Sequence, residues 1–194
     1  MAHGSVSNLH SVAVVADDAV LSQLVAARAR GDTAYLIESL RLTPDHAGLP
    51  AKWLADDGVT DAIPALTHLL DVADPHARTS AIQALERLGL PEQVKPRLVE
   101  IAQTDLDWVR AWATSALASY RDRNLTPTLV ALLNDPSWRV SSAAALALGR
   151  QEDPSALQPL RRARRALFRA PTRYYLYRRV YRDAIRTLRR QTAE

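Results

Sequence analysis

Apolar residues along the chain recur on two scales. Locally they fall at i, i+3 and i+4, the spacing that lines one face of an α-helix, and no segment bounded by turn signals alternates with the period of two that marks a strand. On the longer scale the pattern repeats every 31 to 32 residues. Pro64, Pro96, Pro127 and Pro159 are spaced 32, 31 and 32 apart, and Leu66, Leu98 and Leu129 follow the first three at two positions' distance. A second register runs through Ala77, Val109 and Val140, then Ala81, Ala113 and Ala144, then Ala84, Ala116 and Ala147, then Leu85, Leu117 and Leu148. Gly58 and Gly89 share the period and suggest a degenerate earlier unit, with Trp53 and Leu54 in the columns of Ala84 and Leu85.

Such a period marks stacked supersecondary units, none of which can bury its apolar face alone. Each unit reads as two helices. The first, as in 127–133, opens with proline in its first turn, where the missing amide hydrogen is not needed. The second, as in 137–148, follows an Asp135-Pro136 turn and carries alanines on its buried stripe, which lets neighbouring helices approach closely. Asp74-Pro75 and Asp153-Pro154 mark similar turns, and a leading helix from about Asp18 to Arg30 stops at Gly31. The expected fold is an all-α, right-handed α-solenoid of about five helix pairs between Thr33 and Arg190. Residues 1–16 are expected to be a flexible N-terminus and 17–194 one repeat domain, with 160–194 an Arg-rich capping repeat.

The repeat resembles the HEAT-like repeats, specifically the short bacterial kind first noted in phycobilisome lyases. The strings that carry the likeness are Asp74-Pro75-His76-Ala77-Arg78, Asp107-Trp108-Val109-Arg110 and Asp135-Pro136-Ser137-Trp138-Arg139-Val140, each with its alanine and leucine columns. The likeness covers roughly Thr33 to Arg190. It implies a HEAT-like scaffold that presents a surface to a partner; lyase activity is not carried over. It also implies a ladder between neighbouring repeats, in which Arg78 and Arg110 would pair with Asp74, Asp105 or Asp107, while Ser141 breaks the arginine column.

Charge divides the chain. Thirteen basic residues face nineteen acidic ones up to Pro159, a balance of −6; twelve arginines face only Asp183 and Glu194 from Leu160 on, a balance of +10, and together they give the net +4. A basic end on an acidic body calls for an acidic partner or a contact between the two parts. With no cysteine there is no disulfide, thiol nucleophile or thiolate metal site, and a reducing cytoplasm suits the chain. The apolar stretch Val12–Ala16 is cut by Asp17 and Asp18 and lacks a basic flank, so neither a signal peptide nor a membrane span is expected.

On a wheel of about 100° per residue, the segment 173–190 splits into two halves. Leu176, Tyr177, Val180, Tyr181, Ala184, Ile185 and Leu188 share one, and Arg178, Arg179, Arg182, Arg186, Arg189 and Arg190 share the other with Tyr175. The segment therefore reads as the last second-position helix, docked by its apolar side. Its arginines, with Arg161, Arg162, Arg164, Arg165 and Arg169 of the preceding helix, are a solvated cap, a nucleic-acid surface or a surface for an acidic partner. Membrane binding is the weakest of these readings, because the apolar half is needed to close the core.

Trp108 and Trp112, four apart beside the buried Val109 and Ala113, pack between repeats or grip a peptide or base. Trp138 and Trp53 read as structural. Together with Arg110, Asp107 and these tryptophans faintly resemble the HEAT-like DNA alkylation-repair glycosylases, but no Trp-Trp-Asp string occurs and the body is acidic where that family's groove is basic. The histidines lack metal-ligand spacing, and no phosphate loop, nucleophile elbow or HExxH string exists. The expectation is a non-enzymatic module, without cofactor or metal. It would bind a protein partner through the inner helices, including Trp108, Trp112 and Arg110, and through the C-terminal arginine face. Nucleic-acid binding by that face is the alternative.

Overall fold

Proline places the helices. Pro64, Pro96 and Pro127 occupy the first or second position of α4 (Ile63–Leu69), α6 (Lys95–Thr104) and α8 (Thr126–Leu132), where no intrahelical amide bond is lost. A single 3-10 turn leads into each of them: Thr60–Ala62, Glu92–Val94 and Arg123–Leu125. Their companions are α5 (Pro75–Leu88), α7 (Asp107–Leu117) and α9 (Trp138–Arg150). An earlier pair, α2 (Thr33–Leu42) and α3 (Gly48–Asp56), and a last one, α10 (Leu157–Phe168) and α11 (Tyr175–Gln191), complete the series after α1 (Ser5–Arg30). This computed structural model describes residues 5–168 and 175–191, and the side chains of 18–166 and 178–190. Among the described residues there is no strand. The chain is all-α and of the solenoid class, built as five helix pairs behind a leading helix.

That leading helix begins at Ser5, whereas the sequence reading started it at Asp18 and left 1–16 flexible. No proline or glycine interrupts Ser5–Arg30, so helical propensity runs on without a stop until Gly31.

Helix packing groups the chain into two compact units, Met1–Leu88 and Gly89–Glu194. In the first, α1 packs on α2, α2 on α3 and α4, and α5 on both α3 and α4. In the second, α6 packs on α7, α8 on α9 and α10 on α11, while α7 lies on α9 and α9 on α11. The repeat columns are the core of this arrangement: Val109, Ala113, Ala116, Leu117, Val140, Ala144, Ala147 and Leu148 are all completely buried, as are Leu98 and Leu129 two residues after their prolines. Burying each such leucine contributes roughly 1.5–3 kcal/mol. In α3 the buried stripe is Ala51, Leu54 and Ala55, so Trp53 stands at its edge and is half-buried instead of central.

The turn after each second-position helix needs a left-handed residue. Gly58 and Gly89 supply it with φ of 69° and 85°, and at the same repeat interval Arg121 and Glu152 supply it with 47° and 55°. A side chain at these two places carries backbone strain that glycine lacks. Their mutual ion pair, 3.8 Å between largely exposed groups, offsets little of it.

Helices α9 and α11 approach closely at Gly149. A Cβ there would stand 3.0 Å from the Cα and 3.1 Å from the Cβ of Ala184 in α11. Backbone cannot yield as a flexible side chain would, so a methyl group must push α11 away. Gly149→Ala is therefore expected to lower stability by about 1–3 kcal/mol despite the roughly 1 kcal/mol that alanine gains in helix propensity. Chemical denaturation would measure the loss, and hydrogen exchange should accelerate across 175–191; a more stable variant would contradict the close approach. Arg121→Gly and Glu152→Gly should each raise stability by about 0.5–1 kcal/mol. Glu152→Ala, which keeps a Cβ, should give no such gain in the same titration.

Candidate functional site

The loops before the second-position helices hold the polar joints between repeats. Asp135 accepts from the Ser137 amide at 2.8 Å and from Arg110 Nη2 at 2.8 Å, while Arg110 Nη1 donates to the Asp105 carbonyl at 2.9 Å. Both side chains of this pair are mostly buried, at 17% and 10% exposure. Arg110 is therefore corrected from partner contact to inter-repeat tie: its guanidinium is taken up between two loops. The ladder implied by the family likeness exists here, with Asp135 of the following repeat as its carboxylate. Arg78 serves its own turn, donating to the carbonyls of Val72 and Ala73 at 2.7 and 2.8 Å. Asp107 accepts from Ser137 Oγ at 3.0 Å and stands 3.6 Å from Arg139, so it links α7 to the start of α9. Where Ser141 breaks the arginine column, the buried Tyr181 of α11 donates to its carbonyl at 3.2 Å. At the far ends of α7 and α9, the buried Gln151 amide donates to the Leu117 carbonyl at 3.4 Å.

The acidic pair Asp56-Asp57 works in the same way within the first unit. Asp56 takes Lys52 and Arg87, and Asp57 takes Arg28, so these carboxylates join α3 to α5 and α1. Hydrogen bonding from Lys52 holds the Asp56 carboxyl below its ordinary range.

With α7 and α9 tied at both ends, several large apolar side chains are left uncovered beside Arg139 and Arg150. Trp112 is 41% exposed, Trp138 39% and Leu146 46%, while Trp108 is half-buried and Leu106, just before α7, is exposed. The Arg139 guanidinium lies 5.0 Å from the Trp138 ring centre, in cation–π range. The sequence reading named Trp108 and Trp112 but missed Leu146. The signal was a large apolar residue in the otherwise Ala- and Ser-rich run 141–147, off the buried columns.

The terminal helix docks as its wheel requires. Tyr181, Ala184, Ile185 and Leu188 are buried, whereas Arg179, Arg182, Arg186, Arg189 and Arg190 are exposed and Arg178 is half-buried. The side chain of Tyr175 lies outside the described residues. Asp183 sits among the arginines, 3.6 Å from Arg179, 3.7 Å from Arg182 and 4.0 Å from Arg186. Between α10 and α11 runs a groove of about 350 Å³ lined by Arg164, Arg182, Ile185, Arg186, Arg189 and Arg190. Of the arginines that the sequence offered on α10, Arg164 reaches this groove, whereas Arg161, Arg162 and Arg165 are not among its described lining residues. Among the described residues no cluster of His, Cys, Asp or Glu is placed to hold a metal, and no helix is long and apolar enough to cross a membrane.

The family model of HEAT repeats matches residues 34–118 and, overlapping them, 98–167. The chain belongs to the HEAT-repeat family. HEAT repeats typically mediate protein interactions. Among solved structures, an engineered protein shares the fold with a TM-score of 0.59 at 20% identity, over 88% of this chain and 84% of that one. No curated protein matches the sequence.

A second HEAT-repeat joint lies where α6 and α8 begin. Lys95 Nζ is 2.5 Å from Glu92, 3.0 Å from Asp122 and 4.9 Å from the ring centre of Tyr120, whose hydroxyl donates to the Pro91 carbonyl at 2.9 Å. The Lys95 ammonium is held above its ordinary range by Glu92 and then Asp122, and the Asp122 carboxyl is held below its own by Lys95 and the Asn124 amide. Burial, with the Glu92 charge adding, pushes the Tyr120 phenol up to about 12. Asp122 thus stabilises the fold above its unfolded value of about 3.9 and ceases to as pH falls through its lower folded value. Lys95 and Tyr120 stabilise it fully below their unfolded values of roughly 10.4 and 10, and that contribution is lost as pH rises through the folded ones. Denaturation midpoints should therefore fall below about pH 4 and again above about pH 10. Tyr120→Phe should make the decline between roughly pH 10 and pH 12 shallower; an alkaline limb as steep as the parent's would contradict the assignment.

Proposed function

We propose that this HEAT-repeat chain is a non-enzymatic interaction module that binds a protein segment through the exposed apolar face of α7 and α9. The observation that carries the reading is Trp112 and Leu146, each more than two-fifths exposed on neighbouring second-position helices whose buried columns are complete without them. Large apolar side chains on a rigid, doubly tied helix pair are expensive to leave in water and lose little entropy when covered. Trp108 and Trp138 border the same helices and extend the aromatic area, the composition that anchors interface centres. An acceptor of this shape suits a short segment carrying its own apolar anchors. Catalysis finds no support in the polar groups around it: Asp107, Arg110 and Asp135 are engaged in joining repeats.

Selection of a displayed peptide library against the whole chain, followed by calorimetry of the recovered peptides, tests the proposal. Recovered peptides should share apolar anchors, and Trp112→Ala or Leu146→Ser should each weaken them by about ten- to thirty-fold. Melting temperatures should stay close to the parent's, because both side chains stand outside the core. Peptides that bind these variants as tightly as the parent, or a library that yields none, would refute it.

A further inference from the structure

The groove between α10 and α11 has no part in that reading, and its chemistry is different. We propose that it is a binding site for a run of phosphate groups, such as the backbone of a nucleic-acid strand. Arg182, Arg186, Arg189 and Arg190 stand at i, i+4, i+7 and i+8 on one side of α11, and Arg164 faces them from α10. Along the helix this row extends about 12 Å, the axial length of roughly three successive phosphates on a duplex strand at ~3.4 Å each. Ile185, only 6% exposed, is the apolar residue among the described lining, and the aliphatic stems of the arginines supply further apolar surface beneath their charged groups.

The backbone that carries these arginines is held in place. Tyr181, Ala184 and Leu188 fix α11 on α9 from the other side, and Gly149 brings the two backbones together. Arg164 enters the groove with its Nε buried and without a hydrogen-bond partner among the described residues. Asp183, 3.7 Å from Arg182 and 4.0 Å from Arg186, leaves the side strongly positive at distances too long for tight ion pairs. Like charges at i,i+4 oppose the helix, and an anion in the groove would reverse that penalty.

Guanidinium forks match phosphate oxygens in pairs, and five within one groove suit a ligand with a charge on every small group along its length. The shared chemistry is a phosphate chain, and its source is either a nucleic acid or inorganic polyphosphate.

Fluorescence anisotropy of the whole chain with a labelled single-stranded oligonucleotide, titrated over a range of salt, tests this with two competitors of equal charge, inorganic polyphosphate and polyglutamate. Binding should weaken steeply with salt, with a slope of about 0.7 per phosphate neutralised on a single strand. Arg182→Glu with Arg186→Glu should reduce it more than ten-fold with the helical circular dichroism unchanged. Arg161→Glu with Arg165→Glu, equal in charge but outside the lining, should reduce it far less. Oligonucleotide binding assigns a nucleic-acid source; binding of polyphosphate alone assigns the inorganic one. Displacement by polyglutamate as effective as by polyphosphate, equal losses in the two double variants, or no binding of either phosphate chain would overturn the site.

Discussion

How closely one second-position helix can lie on the next decides the architecture of the second unit. The side chains at that contact are alanines: Ala113, Ala116, Ala144 and Ala147 are buried at the repeat interval, and at the last step even alanine is too large, so Gly149 meets Ala184. Small residues allow the approach, and the approach excludes water from the leucines and valines beside them. Most of the stabilisation thus comes from Leu117, Leu148, Val109 and Val140, while the alanines set the distance at which those residues can be covered. Small-to-large changes in this column would act as wedges, and changes among the leucines would act as cavities.

Close packing also explains why the polar joints lie in the loops. Helix faces lined with alanine have no room for ion pairs, so Arg110 with Asp135 and Lys95 with Asp122 connect successive repeats at the ends of their helices. These joints fix the rotation of one pair on the next, which apolar packing alone defines loosely. Where the arginine column fails at Ser141, the backbone carbonyl remains, and the Tyr181 hydroxyl takes it. A ladder of side-chain charges has been continued by a different donor from a different helix.

What could be read from the sequence follows from this division. Columns that must recur to keep the helices at a fixed distance are periodic, and period is visible in one chain: the buried positions, the proline starts and the glycine stops at 58 and 89 all stood in register. The stops at Arg121 and Glu152 were hidden because a left-handed turn is a backbone demand that the chain meets there without glycine. Helix α1 begins earlier than the sequence reading has it because no proline or glycine interrupts the chain between Ser5 and Arg30. The family likeness implies an inter-repeat ladder for Arg110, but the carboxylate that claims it, Asp135, lies 25 residues away in the following repeat and not among Asp74, Asp105 and Asp107. Leu146 escapes a sequence reading for a related reason. Its importance depends on the direction in which a neighbouring helix leaves it uncovered, and helical phase alone does not specify that.

The two ends of this logic meet on α11. One side of that helix obeys the repeat, with Tyr181, Ala184, Ile185 and Leu188 continuing the buried stripe of α9. The other side carries arginines in place of apolar columns. A basic tail would pay the entropy of ordering each guanidinium when it met an anion. Docking through the apolar side fixes the backbone beforehand, and the wall contributed by Arg164 turns a charged stripe into a groove. The packing that ends the solenoid core is therefore also what preorganises the positive charge at its surface.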